Sequence, residues 1–190
     1  MTNWAQRERA ALVSALREAG PHAPTLCHGW TTNDLAAHVV IRERRIDAAG
    51  GIIVPALGSY TDSIQQKMAS RPYGELLSLI ASGPPLWSPL RAMDRAANVL
   101  EMFVHCEDVR RAQPRWEPRD LPEQFVSSLW RRLSLGAKFM WRRCEAPLVL
   151  ISPLGSVIAK AGSPAATVAG QVGELVMLTF GRDRKSTRLN

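Results

Sequence analysis

The chain has 190 residues, 46% of them hydrophobic, and a formal net charge of +7. That length and apolar content suffice for one compact unit, or a main domain with a small appendage, and no apolar run reaches the length needed to span a bilayer. Its three cysteines, Cys27, Cys106 and Cys144, are widely spaced with no CxxC pair, which excludes a disulfide framework and a structural zinc finger and leaves reduced thiols as the expectation.

In chain order, the charged amphipathic start MTNWAQRERAAL is a helix rather than a secretory signal, so the chain is expected in the cytoplasm. The helix runs from about Asn3 to Glu18, carries Trp4, Leu12 and Leu16 on its apolar side and stops at Gly20-Pro21. Thr31 to Ala49 forms a second helix. Thr31 or Thr32 is its N-cap, Asp34 sits in its first turn, and Gly50-Gly51 closes it. Leu35, Val39 and Ile46 mark its apolar face, with His38 among them, Arg42 one turn on, and Glu43, Arg44 and Arg45 largely outside the stripe. A less regular helical stretch follows, then a Pro-rich segment from Gly83 to Pro89.

Asp94 to Ala112 contains no Pro or Gly and reads as one long helix. Residues four apart lie one above the other on a helix, so Glu101 and His105 share a strip of surface, as do Asp94, Asn98 and Asp108. Ala97, Leu100 and Val104 flank that strip on one side and Met102 and Val109 on the other, with Glu107, Arg110 and Arg111 on the opposite arc. The polar strip is therefore expected to turn inward. Pro114 to Pro122, containing Trp116, is a linker lying over the bundle. A fifth helix spans about Pro122 to Arg143, with Phe125, Leu129, Leu133 and Met140 at core spacing. From Pro147 the period changes. Leu148–Ile151, a turn at Ser152–Gly155 and Ser156–Ala159 read as a β-hairpin, then a loop with Gly and Pro, then a short helix over Gln171–Phe180.

A buried imidazole beside a buried carboxylate is costly to desolvate unless each has a partner, and a cation serves both. A lone His on an apolar face is commonly a hydrogen-bonded core residue, and Glu-x-x-x-His alone is a weak motif. His38, Glu101 and His105 together make a stronger signal. Two imidazoles and a carboxylate on inward faces of two helices match the three-ligand set of catalytic zinc sites and of the iron facial triad. Zinc is favoured, and nickel or iron accepts the same set. Arg42 is placed either to pair with a substrate carboxylate or to make a structural ion pair. Cys27, in a loop before the second helix, is either near the mouth of the site or a small buried side chain. There is no Gly-rich phosphate loop and no serine nucleophile elbow.

At these same residues a family likeness becomes visible. The run LCHGWTTNDLAAHV, Leu26 to Val39, and the run NVLEMFVHCEDVRRAQPRWEPR, Asn98 to Arg119, resemble the two signatures of the DinB-like metal-binding superfamily. The likeness is to its actinobacterial branch of mycothiol-dependent maleylpyruvate isomerase-like proteins, and is nearest to a subgroup described only as metal-binding. One position departs: Cys106 stands where the resemblance leads one to expect a second His, rotated about 100° from the ligand strip.

The resemblance implies a mainly α fold, a DinB-like bundle of four or five helices over residues 1–145, followed by a small α/β appendage over 146–182 related to the sterol carrier fold. It implies metal ligands at His38, Glu101 and His105, with Asp94, Asn98 and Asp108 orienting the imidazoles, and mycothiol as the small-molecule thiol. In the resembling isomerases the thiol adds to the double bond of a maleyl-type diacid, a bond rotates, and elimination gives the trans product. The same site can support thiol transfer to an electrophile. The alternative is a non-enzymatic metal-binding or stress-responsive module in which the cation fastens two helices. A homodimer is compatible with the sequence, and nothing in it requires one.

Nucleic-acid binding is a distant third. Basic residues alternate with acidic ones, as in Arg42-Glu43-Arg44-Arg45-Ile46-Asp47, and the Arg131-Arg132 and Arg142-Arg143 pairs lack interleaved aromatics. The last eight residues, DRKSTRLN, resemble a translated sequencing adapter and are set apart as a non-native tail over 183–190. Without Asp183, Arg184, Lys185 and Arg188 the formal charge falls from +7 to +5.

Overall fold

A computed structural model describes the backbone of residues 3–44, 58–85 and 89–182, and within these all side chains except those of 58–61 and 89–97. The chain divides into two compact units, residues 1–117 and 118–190. The division falls before the fifth of the sequence-predicted helices rather than at 145/146, because that helix packs on the C-terminal strands and helix.

In the first unit, α1 (Trp4–Ala19) starts within a residue of the expected Asn3, whose side chain caps it by accepting from the Gln6 N–H. It ends at Gly20, whose φ of +77° is open to glycine and whose N–H reaches the Leu16 carbonyl. In α2 (Thr32–Arg44) the N-cap is Thr31. Its N–H and hydroxyl both donate to Asp34 Oδ2, at 2.9 and 2.7 Å, while the Asp34 N–H donates back to the Thr31 hydroxyl. Thr32, the other cap candidate, is buried with its hydroxyl on the Gly20 carbonyl. The expected end of α2, with Ile46, Ala49 and Gly50-Gly51, lies outside the described residues.

The irregular middle resolves into α3 (Gly58–Ala69) and α4 (Tyr73–Ser82). The first is pinned to the start of α2 by Gln65 Nε2 on the Asp34 carbonyl and by Asn33 Nδ2 on the Ala69 carbonyl. Next, α5 (Pro89–Arg110) begins five residues before the expected Asp94, with Pro89 at its first position, where the missing N–H costs nothing.

The core of this unit joins Leu12 and Leu16 of α1, Leu35, Val39 and Val40 of α2, Leu76 and Ile80 of α4, and Met102, Cys106 and Val109 of α5. Each fully buried Leu or Ile is worth about 1.5–3 kcal/mol of transfer free energy. Cys106, on the arc away from the ligand strip, is part of this core.

Two expectations about polar faces are corrected here. Glu43 is fully buried, not on an outer face, and forms a two-pronged ion pair with Arg9 at 2.6 and 2.7 Å, while Arg9 also donates to the Ile80 carbonyl. Helix α2 is central and buried around most of its circumference, so its charged residue needs an internal partner. Likewise Glu107 is buried and held by Arg110 at 2.9 Å and Arg111 at 2.7 Å.

In the second unit α6 (Glu123–Met140) buries Phe125, Leu129, Leu133 and Ala137, as its spacing predicts; Met140 is only half-buried. The hairpin is present as β1 (Leu148–Ser152) and β2 (Gly155–Lys160), with Ser152 opposite Gly155 across the turn. The segment read as a loop contains a third strand, β3 (Ala166–Ala169), parallel to β1, so the sheet order is β2-β1-β3. Only Thr167 and Val168 of its four residues favour a strand, too short a run to read as one without the pairing that defines it. Helix α7 (Val172–Thr179) matches the expected C-terminal helix, packs on β1 and α6, and buries Val172, Leu175, Val176 and Met177. The tail 183–190 lies outside the described residues. Among the described residues no helix is long and apolar enough to cross a membrane.

Candidate metal centre

The reciprocal Thr31–Asp34 cap fixes where α2 begins and therefore the direction in which His38 leaves it, two turns along. The uninterrupted helical register of α5 puts Glu101 and His105 one turn apart. These two helices bring the three predicted ligands together. The His38 and His105 rings lie 5.5 Å apart between centroids at 78°, and His105 Nε2 stands 3.4 Å from Glu101 Oε2.

The environments differ. His105 is buried, with 5% of its side chain exposed, whereas Glu101 keeps 27%. His38 is half-buried and not fully in the core, with its ring 5.0 Å from that of Trp30. On its far side His105 Nδ1 lies 3.1 Å from Asp108 Oδ2, and the Cys27 thiol donates to the same carboxylate oxygen at 3.3 Å. A carboxylate behind Nδ1 would keep a proton on that nitrogen and leave the Nε2 lone pair to a bound cation. His105 Nε2 is buried and makes no well-formed hydrogen bond, its nearest acidic neighbour being Glu101 Oε2 at 3.4 Å. That is the observation by which a cation fits the site.

Arg42, placed by the sequence either for a substrate carboxylate or for a structural ion pair, reaches both Asn98 and Glu101. Arg42 donates to Asn98 Oδ1 at 2.6 Å and lies 3.6 Å from Glu101 Oε1, so this guanidinium braces the carboxylate ligand candidate. Asp94 sits on the same helix, but its side chain is outside the described residues. Cys27 and Trp30 carried little or no weight in the sequence. The available signal was that both belong to the LCHGWTT run leading into α2.

Electrostatics follow from the contacts. Burial pushes the Glu101 carboxyl up, but His105, Arg42 and His38 together hold it down at about 2, from an ordinary value of 4.5. Burial likewise opposes charge on His105, yet Asp108, Cys27 and Glu101 raise it from 6.5 to about 10. Without a cation the ring is thus an imidazolium held between two carboxylates. Among the described residues the three ligand atoms found within 4.8 Å of one another are those of Cys27, His105 and Asp108, a group that shares only His105 with the predicted set. The thiol and ring contacts to Asp108 are at hydrogen-bond length, so protons already fill that side.

The family sequence model described as the mycothiol maleylpyruvate isomerase N-terminal domain matches residues 4–143. The chain belongs to this family. Two crystal structures of mycothiol-dependent maleylpyruvate isomerase, one with a His-to-Ala substitution, resemble this member of the family with TM-scores of 0.68 and 0.66 at 15% identity. Each alignment covers 98% of this chain and 90% of the other. The likeness establishes that the isomerase-domain family member shares their fold, with helices first and a small sheet at the C-terminal end. No curated protein matches it in sequence.

Proposed function

We propose that this protein binds a divalent metal, zinc in preference, through His38, Glu101 and His105, and uses it in thiol chemistry on a small electrophile. The observation that carries the reading is the buried His105 Nε2, which makes no well-formed hydrogen bond, set between Glu101 and His38. Two imidazole nitrogens and a carboxylate oxygen suit zinc and leave a coordination position for an exogenous ligand. A bound zinc supplies the positive charge that keeps a thiol ionised near neutral pH.

The chain's own residues do the rest. Asp108 accepts the Nδ1–H hydrogen bond of His105 and so presents the Nε2 lone pair to the cation. Arg42 restrains Glu101 and, with 19% of its side chain exposed, offers a guanidinium to an acidic substrate arriving from that side. Family membership makes mycothiol the thiol and a maleyl-type diacid the electrophile in this reading. The thiol sulfur adds to one alkene carbon and a proton to the other. Rotation about the resulting single bond and elimination of both restore the thiol and give the trans isomer. A reduced low-molecular-weight thiol as cosubstrate supports a cytoplasmic location in this reading.

Elemental analysis of the purified protein beside His38→Ala and His105→Ala tests the reading. Near-stoichiometric zinc, lost in both variants, together with thiol-dependent cis–trans turnover, is the expected result. A folded wild type that takes up no zinc, nickel or iron removes the centre.

A further inference from the structure

The loop between α1 and α2 touches both imidazoles of the candidate centre. It is stiffened from within: the Thr25 hydroxyl donates to the Trp30 carbonyl at 2.9 Å and accepts from the Cys27 N–H at 3.2 Å, and the Trp30 N–H donates to the Cys27 carbonyl. Gly29, at φ +77°, makes the turn that other residues rarely adopt. The loop is then tied to α5 twice at one residue. The Leu26 N–H donates to the Asp108 carbonyl at 3.0 Å, and the Cys27 thiol to the Asp108 carboxylate at 3.3 Å. Three residues on, the Trp30 ring packs against His38.

These contacts have a directional consequence. Asp108 Oδ2 receives the Cys27 thiol and the His105 Nδ1 side together, so the thiol selects the carboxylate rotamer that selects the ring orientation. A His105 ring turned over would present carbon, not Nε2, to Glu101 and His38. On the other ligand helix, Trp30 limits the rotamers of a half-buried imidazole.

Resting on the metal-centre reading above, we propose that Cys27 and Trp30 are positioning residues: one loop holds His105, through Asp108, and His38 in the geometry that binds metal. Cys27 acts as a hydrogen-bond donor and not as a ligand.

The test uses the full chain and the variants Cys27→Ala, which deletes the donor, and Cys27→Ser, which keeps one. Zinc affinity is read by competition with a chromophoric chelator, and geometry from the visible bands of the cobalt-loaded protein. Outer-shell partners of a ligating His are worth about 10–100-fold in affinity. Cys27→Ala is therefore expected to weaken zinc binding by about tenfold or more and shift the cobalt bands. Cys27→Ser should stay within about threefold with unshifted bands, and Trp30→Ala should weaken binding where Trp30→Phe does not.

Equal affinity in Cys27→Ala and wild type, with His38→Ala and His105→Ala still losing metal, overturns this inference while leaving the metal centre standing. A thiolate-to-cobalt charge-transfer band that disappears in Cys27→Ser also overturns it, because sulfur would then be a ligand. If Cys27→Ala does not fold, Cys27→Val takes its place as the variant without a donor. If the wild type takes up no metal, the metal reading fails, and the inference is read from the metal-free protein by the His105 Nδ1 proton in NMR. Slow exchange of that proton kept in Cys27→Ser and lost without the donor supports positioning; its persistence in every variant overturns it.

Discussion

His105 carries opposite demands in its metal-free and metal-bound forms. Its pKa is raised to about 10, so the stability it contributes is fully present below 6.5 and is lost as pH rises from there through about 10. Glu101, lowered to about 2, contributes stability that is present above 4.5 and lost as pH falls through about 2. Metal-free protein should therefore resist urea best between these ordinary values, about pH 4.5 to 6.5, and His105→Gln should flatten the alkaline decline. Zinc needs the unprotonated nitrogen, so its binding releases a proton and tightens as pH rises. Calorimetric titrations in buffers of different ionisation enthalpy measure that proton; no release would mean His105 is not a ligand. Arg42 is tested separately. Removing a charge-assisted contact to a bound substrate costs about 1.5–3 kcal/mol, so Arg42→Ala should raise KM for a diacid by about tenfold or more. An unchanged KM would restrict Arg42 to bracing Glu101 and Asn98.

At the scale of elements, the unit that holds the candidate centre depends on a charge pair inside it. Arg9 on α1 and Glu43 on α2, with the Ile80 carbonyl at the end of α4, tie three helices at one buried point. Removing one partner leaves the other charge buried and alone. Glu43→Ala should cost about 3–5 kcal/mol in urea unfolding, and Arg9→Met with Glu43→Leu should recover most of that loss. A small effect of Glu43→Ala would show that water reaches the pair. The same helix explains a limit of periodicity. A helix with one apolar face shows its inward residues by spacing, but α2 is buried on several sides, so Glu43 reads as outward from sequence and is inward in the fold. Glu107 on α5 shows the same effect, because Arg110 and Arg111 cover it from its own helix.

For the whole molecule, every described candidate centre residue falls between positions 27 and 108, inside the first compact unit. Ligand binding to the folded state alone adds stability by mass action, about 2.7 kcal/mol at a hundredfold excess over Kd. Zinc should raise the melting temperature of the wild type by several degrees and leave that of His38→Ala unmoved, as calorimetric scanning would record. Deleting 183–190 should leave the zinc-induced rise intact. A rise that vanished with the tail would bring the C-terminal residues into the centre.

The sequence by itself determined what depends on neighbours along the chain: the start of α2 at Thr31 or Thr32, the Gly20 stop, the helical register that stacks Glu101 on His105, the hairpin turn at Ser152–Gly155 and the family signatures. Caps, turns and i,i+4 spacing involve contacts within a few residues, so composition and order suffice to place them. The tertiary structure decided what depends on residues far apart: the distance between His38 and His105, the pairing of Arg9 with Glu43, the parallel partner that makes Ala166–Ala169 a strand, and the meeting of Cys27 with Asp108. The two side-chain hydrogen-bonded pairs among them join positions 34 and 81 residues apart, and long-range packing rather than local propensity selects which of these contacts form.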